Sequence, residues 1–149
     1  MAKINVRAKG ASGEREMCKW LDKNLGIQSE RNLDQVRSGG ADIITEEFVF
    51  EVKRVENLDI QGAWIQCKTA CSNVNEQDGT NRTGVVCFRR NKEKWSFAIS
   101  AKNIGLQYGY VILPEKVFIE WVEHIREQNV LTIVPCQHDD TKQREKPKI

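Results

Sequence analysis

Asp42 and, nine residues later, Glu51 and Lys53 are the residues of this chain whose types and spacing could do chemistry. Successive side chains of a strand point to opposite faces. Glu51 and Lys53 therefore share one face, with Cα atoms roughly 7 Å apart, while Phe48, Phe50 and Val52 take the other. Two carboxylates and an ammonium brought together can hold a divalent cation, position a water on it and offset charge on a phosphate. Those are the needs of phosphodiester hydrolysis at neutral pH. Asp42 and Glu51 are the candidate metal ligands, with the backbone carbonyl of Val52 as a third. Lys53 is placed to orient or deprotonate the water. Glu14 offers a further carboxylate, as a ligand directly or through water. Mg²⁺ is the expected ion, with Mn²⁺ as a substitute. Three carboxylates gathered without a cation would repel one another and raise at least one pKa, so the cluster implies either a metal or a protonated acid.

Plainer readings use the same residues. Glu-x-Lys on a strand is commonly a surface ion-pair ladder. Glu14 in the first turn of a helix would complement the helix dipole. Asp42 at hairpin distance and Glu14 on a separate helix weigh towards a site.

The elements that must position these groups are legible in outline. Residues 1–11 read as a basic arm, and Ser12 as the N-cap of a helix running to about Leu25 and stopped by Gly26. Cys18, Leu21 and Leu25 form its apolar stripe, with Glu14 in the same register. Residues 33–37 suggest a short strand ending at Arg37, followed by the Ser38-Gly39-Gly40 loop. Ala41 to about Thr45 and Phe48 to Lys53 predict two strands joined through Glu46-Glu47. A second helix is predicted over about 59–73, then a polar loop over 75–83. Gly84–Arg89 and Trp95–Ser100 predict two more strands around a basic turn at Asn91-Lys92-Glu93-Lys94. Tyr108–Leu113 suggests an extended segment. Pro114 opens a third helix, about 115–128, with the stripe Phe118, Trp121, Val122 and Ile125. The run Val130–Val134 and a polar tail from Gln137, expected to be disordered, complete the chain. The order predicts an α/β domain, a mixed central sheet flanked by helices with a C-terminal helical extension. One domain is expected over 1–136, its core at about 9–101 and its extension at 102–136.

Bulk properties narrow the class. The formal net charge of +2 argues against a purely electrostatic nucleic-acid binder. Residues 61–101 nonetheless carry a local excess of base, with Lys68, Arg82, Arg89, Arg90, Lys92 and Lys94 against Glu76, Asp78 and Glu93, as phosphate contact requires. No apolar run approaches the ~18–20 residues of a membrane span, and the N-terminus lacks the apolar core of a signal peptide. A cytoplasmic protein with no membrane partner is expected. Its five cysteines are then expected to be reduced and packed rather than paired. The four tryptophans read as core or interface residues rather than base-stacking ones.

The motifs resemble those of the PD-(D/E)XK nuclease superfamily, and within it the small Holliday junction resolvases of the archaeal type with their phage-encoded relatives. Lys9-Gly10-Ala11-Ser12-Gly13-Glu14-Arg15-Glu16 is similar to the family's opening Lys-Gly-x-x-x-Glu-Arg-Glu. Arg37-Ser38 leading to Asp42 is similar to its Arg-Ser…Asp segment, and Phe50-Glu51-Val52-Lys53 to its Glu-Val-Lys strand. Val85 to Arg90 with Trp95 resembles the late hairpin of the phage members. The resemblance implies a restriction-endonuclease-like core and a Mg²⁺-dependent endonuclease that resolves four-way DNA junctions. Glu14, Asp42 and Glu51 would be its acidic residues and Lys53 its catalytic lysine. Lys9, Arg15, Arg37, Arg89, Arg90 and Lys92 would contact DNA, and Ser38 and Gln66 would support the site. A homodimer follows, because two symmetric nicks across a junction suit two-fold protein symmetry. If phage-encoded, the enzyme would act in the host cytoplasm. Another nuclease on the same fold (flap, repair or restriction-like) would carry identical site residues. A non-catalytic DNA-binding protein is the alternative from a different class, and the intact set of acids argues against it.

Overall fold

Alternating side chains, apolar on both faces, fix the middle of the sheet. The computed structural model describes residues 6–33 and 40–129, with side chains from residue 9 onward. Its second strand, β2 (Phe48–Arg54), is buried through its first five residues. Phe48, Phe50 and Val52 enter one core and Val49 enters another on the opposite face. β1 (Ile43–Ile44) pairs antiparallel with β2, placing Ile43 opposite Phe50 and Ile44 opposite Val49. The hairpin closes through Thr45, whose N–H donates to the Phe48 carbonyl at 2.8 Å. Helix α2 (Ile60–Asp78) then carries the chain over the sheet, and β3 (Thr83–Arg89) lies parallel to β2. β4 (Ser96–Ser100) and β5 (Tyr110–Pro114) continue antiparallel, so the sheet order is β1-β2-β3-β4-β5. A short 3-10 turn, Ala101–Ile104, links the last two strands. Helix α3 (115–129) follows β5 directly. The expected α/β class with a mixed, helix-flanked sheet is what forms.

Several boundaries differ from expectation. Helix α1 spans Val6–Leu25, so Ser12 lies inside it and is not its N-cap. The run Gly10-Ala11-Ser12-Gly13 looks like a loop because glycine is a poor helix former. At Gly13 the glycine serves packing instead: a Cβ there would sit 3.1 Å from Cβ of Arg54. The buried stripe is Glu14, Met17, Leu21 and Leu25, with Cys18 only half-buried. Glu14 is thus well inside the helix, beyond the first turn where the dipole acts. Helix α2 runs five residues past the expected end, and most of the expected 75–83 loop is helix or strand. Asn75 explains this. Its side-chain oxygen accepts from the N–H of Arg82 at 2.8 Å and its amide donates to the Arg82 carbonyl at 3.0 Å. Polar residues here bind the helix end to the next strand. The expected strand at 33–37, beyond its first residue, lies outside the described residues, as do Arg37, Ser38, Cys136, Val130–Val134 and the tail from Gln137.

The stretch beyond Ala101 completes the fold. β5 pairs along its whole length with β4, and Phe118 and Val122 of α3 are fully buried against the α1 side of the sheet. Phe97 stacks on Phe118 with ring centroids 4.0 Å apart and planes 4° from parallel. Trp20 packs on Phe97, and Trp121 on Phe48. The indole N–H of Trp20 donates to Glu115, tying α1 to α3. The tryptophans thus serve packing, as expected, and Cys18, Cys67, Cys71 and Cys87 are free thiols. Among the described residues no helix is long and apolar enough to cross a membrane.

Candidate active site

The hairpin register decides where Asp42 goes. The Asp42 N–H donates to the Phe50 carbonyl at 3.1 Å, and its Oδ2 accepts the N–H of Val52 at 2.8 Å. Asn32 grips the same turn from outside. Its N–H donates to the Asp42 carbonyl and its side-chain amide to the Ala41 carbonyl, both at 2.8 Å. Gly40, at φ +92°, turns the chain into this segment, a backbone angle that a side chain would strain. The N–H and C=O of one strand residue point to the same side. The Val52 carbonyl therefore lies on Asp42's side, beyond the end of the two-residue β1.

Glu51 projects from the opposite face to Phe50 and is only 2% exposed. Its Oε1 lies 3.3 Å from the Lys53 ammonium. Its Oε2 is buried and meets no hydrogen-bond donor among the described residues. Burial, and then the neighbouring Glu51 charge, push the Asp42 carboxyl up to about 7, against the Val52 N–H and Lys53, which hold it down. Burial likewise raises Glu51, opposed by Lys53. With both acids ionised, neither can donate to the other. A shared proton or a cation would relieve their repulsion.

These groups open onto a cleft of about 850 Å³. Lys9, Glu14, Asp42, Glu51, Val52, Lys53 and Gln66 all line it, so elements far apart in sequence converge there. Glu14 arrives on α1, buried, with its Oε2 held by Arg31 Nη2 at 3.2 Å and Nε at 3.3 Å. Among the described residues no three His, Cys, Asp or Glu side chains gather as a metal-holding group. The expected three-carboxylate cluster therefore resolves into an Asp42–Glu51 pair with Glu14 clamped by an arginine in the same cleft. Arg31 and Arg54 also line the cleft, and no motif in the sequence marks them. Arg31 pairs across 17 residues, a distance at which no local pattern announces a partner. Arg54 follows Lys53 directly, and its buried Nε has no acceptor among the described residues.

The expected DNA-contacting residues divide. Arg15 is exposed on α1, and Arg90 and Lys92 are exposed in the turn after β3. Arg89 is engaged elsewhere: it forms a two-point ion pair with Glu16, at 2.5 and 2.7 Å, and lies over the Trp95 ring. Arg82 is engaged too, donating to the Thr45 carbonyl at 2.7 Å and to Asp78 at 2.8 Å. Arg37 and Ser38 lie outside the described residues.

The donors suit a hard, oxygen-preferring divalent ion that keeps much of its own water. There are two carboxylates, one with an unpartnered buried oxygen, and a strand carbonyl on the same side. Burial pushes the nearby Cys67 thiol far up, so it offers no thiolate ligand.

No family model matches the chain, and no curated protein matches it. Among solved structures, it is similar to Hjc of Archaeoglobus fulgidus, described as a Holliday junction resolvase from an archaeal hyperthermophile. The identity is 17%, over 73% of this chain and 86% of that one, with a TM-score of 0.46. The likeness is remote and bears on no individual residue.

Proposed function

We propose that the chain is a divalent-metal-dependent endodeoxyribonuclease of the PD-(D/E)XK kind, with the four-way DNA junction as its substrate. The observation that carries this reading is the Asp42–Glu51 pair: two mutually repelling acids, Glu51 buried and Asp42 half-buried, beside Lys53 and opening onto a broad cleft. Asp42, Glu51 and the Val52 carbonyl would hold the ion, with Mg²⁺ the expected occupant and Mn²⁺ a substitute. A bound ion would supply an acidified water and charge stabilisation at the phosphate. Lys53, kept beside Glu51, would donate to a phosphate oxygen or orient the attacking water. The Arg31 clamp would hold Glu14 at the cleft wall, where it can accept from ion-bound water. Lys9 would meet the DNA backbone within the cleft, and Arg15, Arg90 and Lys92 would meet it outside. Junction preference rests on the four motifs in order, Lys9–Glu16, Arg37–Asp42, Phe50–Lys53 and Val85–Trp95. It carries with it a homodimer that cuts at two symmetric positions.

The test is cleavage of matched four-way junction, flap, duplex and single-stranded DNA, with Mg²⁺ or with EDTA. Paired symmetric nicks on the junction alone are expected. Efficient cutting of linear duplex would move the reading to a restriction-like or repair enzyme. Asp42→Asn should lower the cutting rate about a thousandfold while leaving junction binding in EDTA intact. Cutting by this variant at the wild-type rate would remove Asp42 from the site.

A further inference from the structure

Beside the cleft, on the α2 side of the sheet, lies a second and smaller cavity of about 280 Å³. Its apolar walls are Leu58 just before α2, Ile60 at its start, Phe88 on β3 and Ile112 on β5. Arg90 and Lys94, with one acid, Glu93, stand at its rim. Val55 lines both this cavity and the cleft, so the two adjoin.

Strand register fixes their relation. Lys53 is the cross-strand partner of Phe88, and Glu51 the partner of Val86. Partners on adjacent strands lie about 4.8 Å apart with side chains on the same face. The row holding Glu51 continues through Val86 and Ala98 to Ile112. The cavity floor thus begins at Phe88, one strand over from the lysine, continues to Ser96 in the same row, and takes in Ile112 at the end of the Glu51 row. Ile112 is 49% exposed on an edge strand, so part of this floor faces solvent. An apolar, partly aromatic floor under a basic rim is the combination by which proteins hold a single-stranded nucleotide, base on the ring and phosphate on the cation. A base leaving the stack next to a phosphate at Lys53 would find an aromatic ring one strand away.

Building on the nuclease reading above, we infer that this cavity is a nucleobase pocket. It receives one unstacked base from the DNA branch point, next to the phosphate at Lys53, with Arg90 and Lys94 on the adjoining phosphate. Substrate choice would then rest partly on the ease of unstacking, which is least costly at a branch and most costly within continuous duplex.

The test uses the full-length protein and a four-way junction carrying 2-aminopurine at the branch, titrated in EDTA so that binding is read without cutting. Wild-type protein should change the probe's fluorescence as the base leaves the stack. Ile112→Glu places a negative charge at an already exposed position. It should abolish the fluorescence change and weaken junction binding about tenfold, with linear duplex binding unchanged. Phe88→Ala should act in the same direction, and its circular dichroism melt would separate pocket loss from unfolding. Wild-type fluorescence and affinity in the folded Ile112→Glu variant would overturn the pocket and leave the nuclease reading untouched. Probe response without any cutting in Mg²⁺ or Mn²⁺ would overturn the nuclease reading and keep the pocket as a binding site. Failure of the wild-type protein to bind the junction would overturn both.

Discussion

The two faces of the sheet are built on different terms. The face covered by α1 and α3 is filled with large rings: Phe48, Phe50, Phe97 and Phe118 are fully buried, with Trp20 and Trp121 packed against them. The face under α2 is made mainly of small groups: Ala63, Cys67, Ala70, Cys71 and Val74 on the helix meet Val49, Val86 and Ala98 on the sheet, with Trp64, Phe88 and Tyr110 as its only large rings among the described residues. Small side chains let α2 approach closely. At Gly84 a Cβ would lie 3.2 Å from Sγ of Cys67 and 3.3 Å from Cβ of Cys71. The aromatic face supplies cohesion through buried area and ring packing. The α2 face also carries the buried acid Glu51, its unpartnered oxygen and the adjoining cavity. Stability is concentrated on one side, and groups poised for chemistry on the other.

Truncation on the aromatic face should have the largest effect on stability. Phe97→Ala removes a ring stacked on Phe118 and should cost about 3–5 kcal/mol in urea denaturation. A loss below about 1 kcal/mol would mean that the aromatic stack is not the main source of cohesion.

The acids should oppose stability on the other face. Asp42 has its folded-state pKa raised to about 7 from 3.8. The folded protein therefore binds more protons than the unfolded chain between those values. Metal-free stability should fall as pH rises from about 4 to about 7, by an amount on the order of 4 kcal/mol. Asp42→Asn should flatten that fall and leave the variant more stable than wild type at pH 8. Mg²⁺ should stabilise the wild type at pH 8 far more than at pH 5. Thermal melts over this pH range, with and without metal, measure both effects. A wild-type profile that rises with pH would refute the strained pair.

Enlargement on the α2 face should have the smallest of these effects. Gly84→Ala presses on Cys67 and Cys71 and should cost about 1–2 kcal/mol, by the same urea measurement. No cost would show that α2 can retreat, which would weaken the contrast between the faces.

What the sequence disclosed follows the range of each interaction. Asp42, Glu51 and Lys53 were legible because strand alternation and a short hairpin place them by local rules. So were the sheet's mixed character and the stripes of α2 and α3. Lys9, Glu14 and Gln66 all line the cleft, Gln66 from a helix that runs past its expected end. The start of α1 was misplaced because Gly13 looks like a breaker until β2 is packed against it. The end of α2 was misplaced because Asn75 and Arg82 look like loop residues until they bond each other. β5 needed its partner: Tyr110–Pro114 has no strong pattern alone and gains one only opposite β4. The Glu14–Arg31 clamp and the Lys53–Phe88 adjacency depend on contacts across the fold, which periodicity does not report.

The short hairpin of β1 and β2 also separates the parts of the site by how much chain must be closed to form them. Asp42 meets the Val52 N–H across 10 residues, most of them within the paired strands themselves. The Arg31 clamp on Glu14 spans 17 residues, and Lys53 reaches Phe88 only after the whole of α2 has been laid over the sheet. Loop-closure entropy rises with the length closed, and parallel pairing across a helix needs the longest loop of the three. The acidic seat is thus nearly a local property of the chain, whereas the cavity beside it exists only when the entire sheet does.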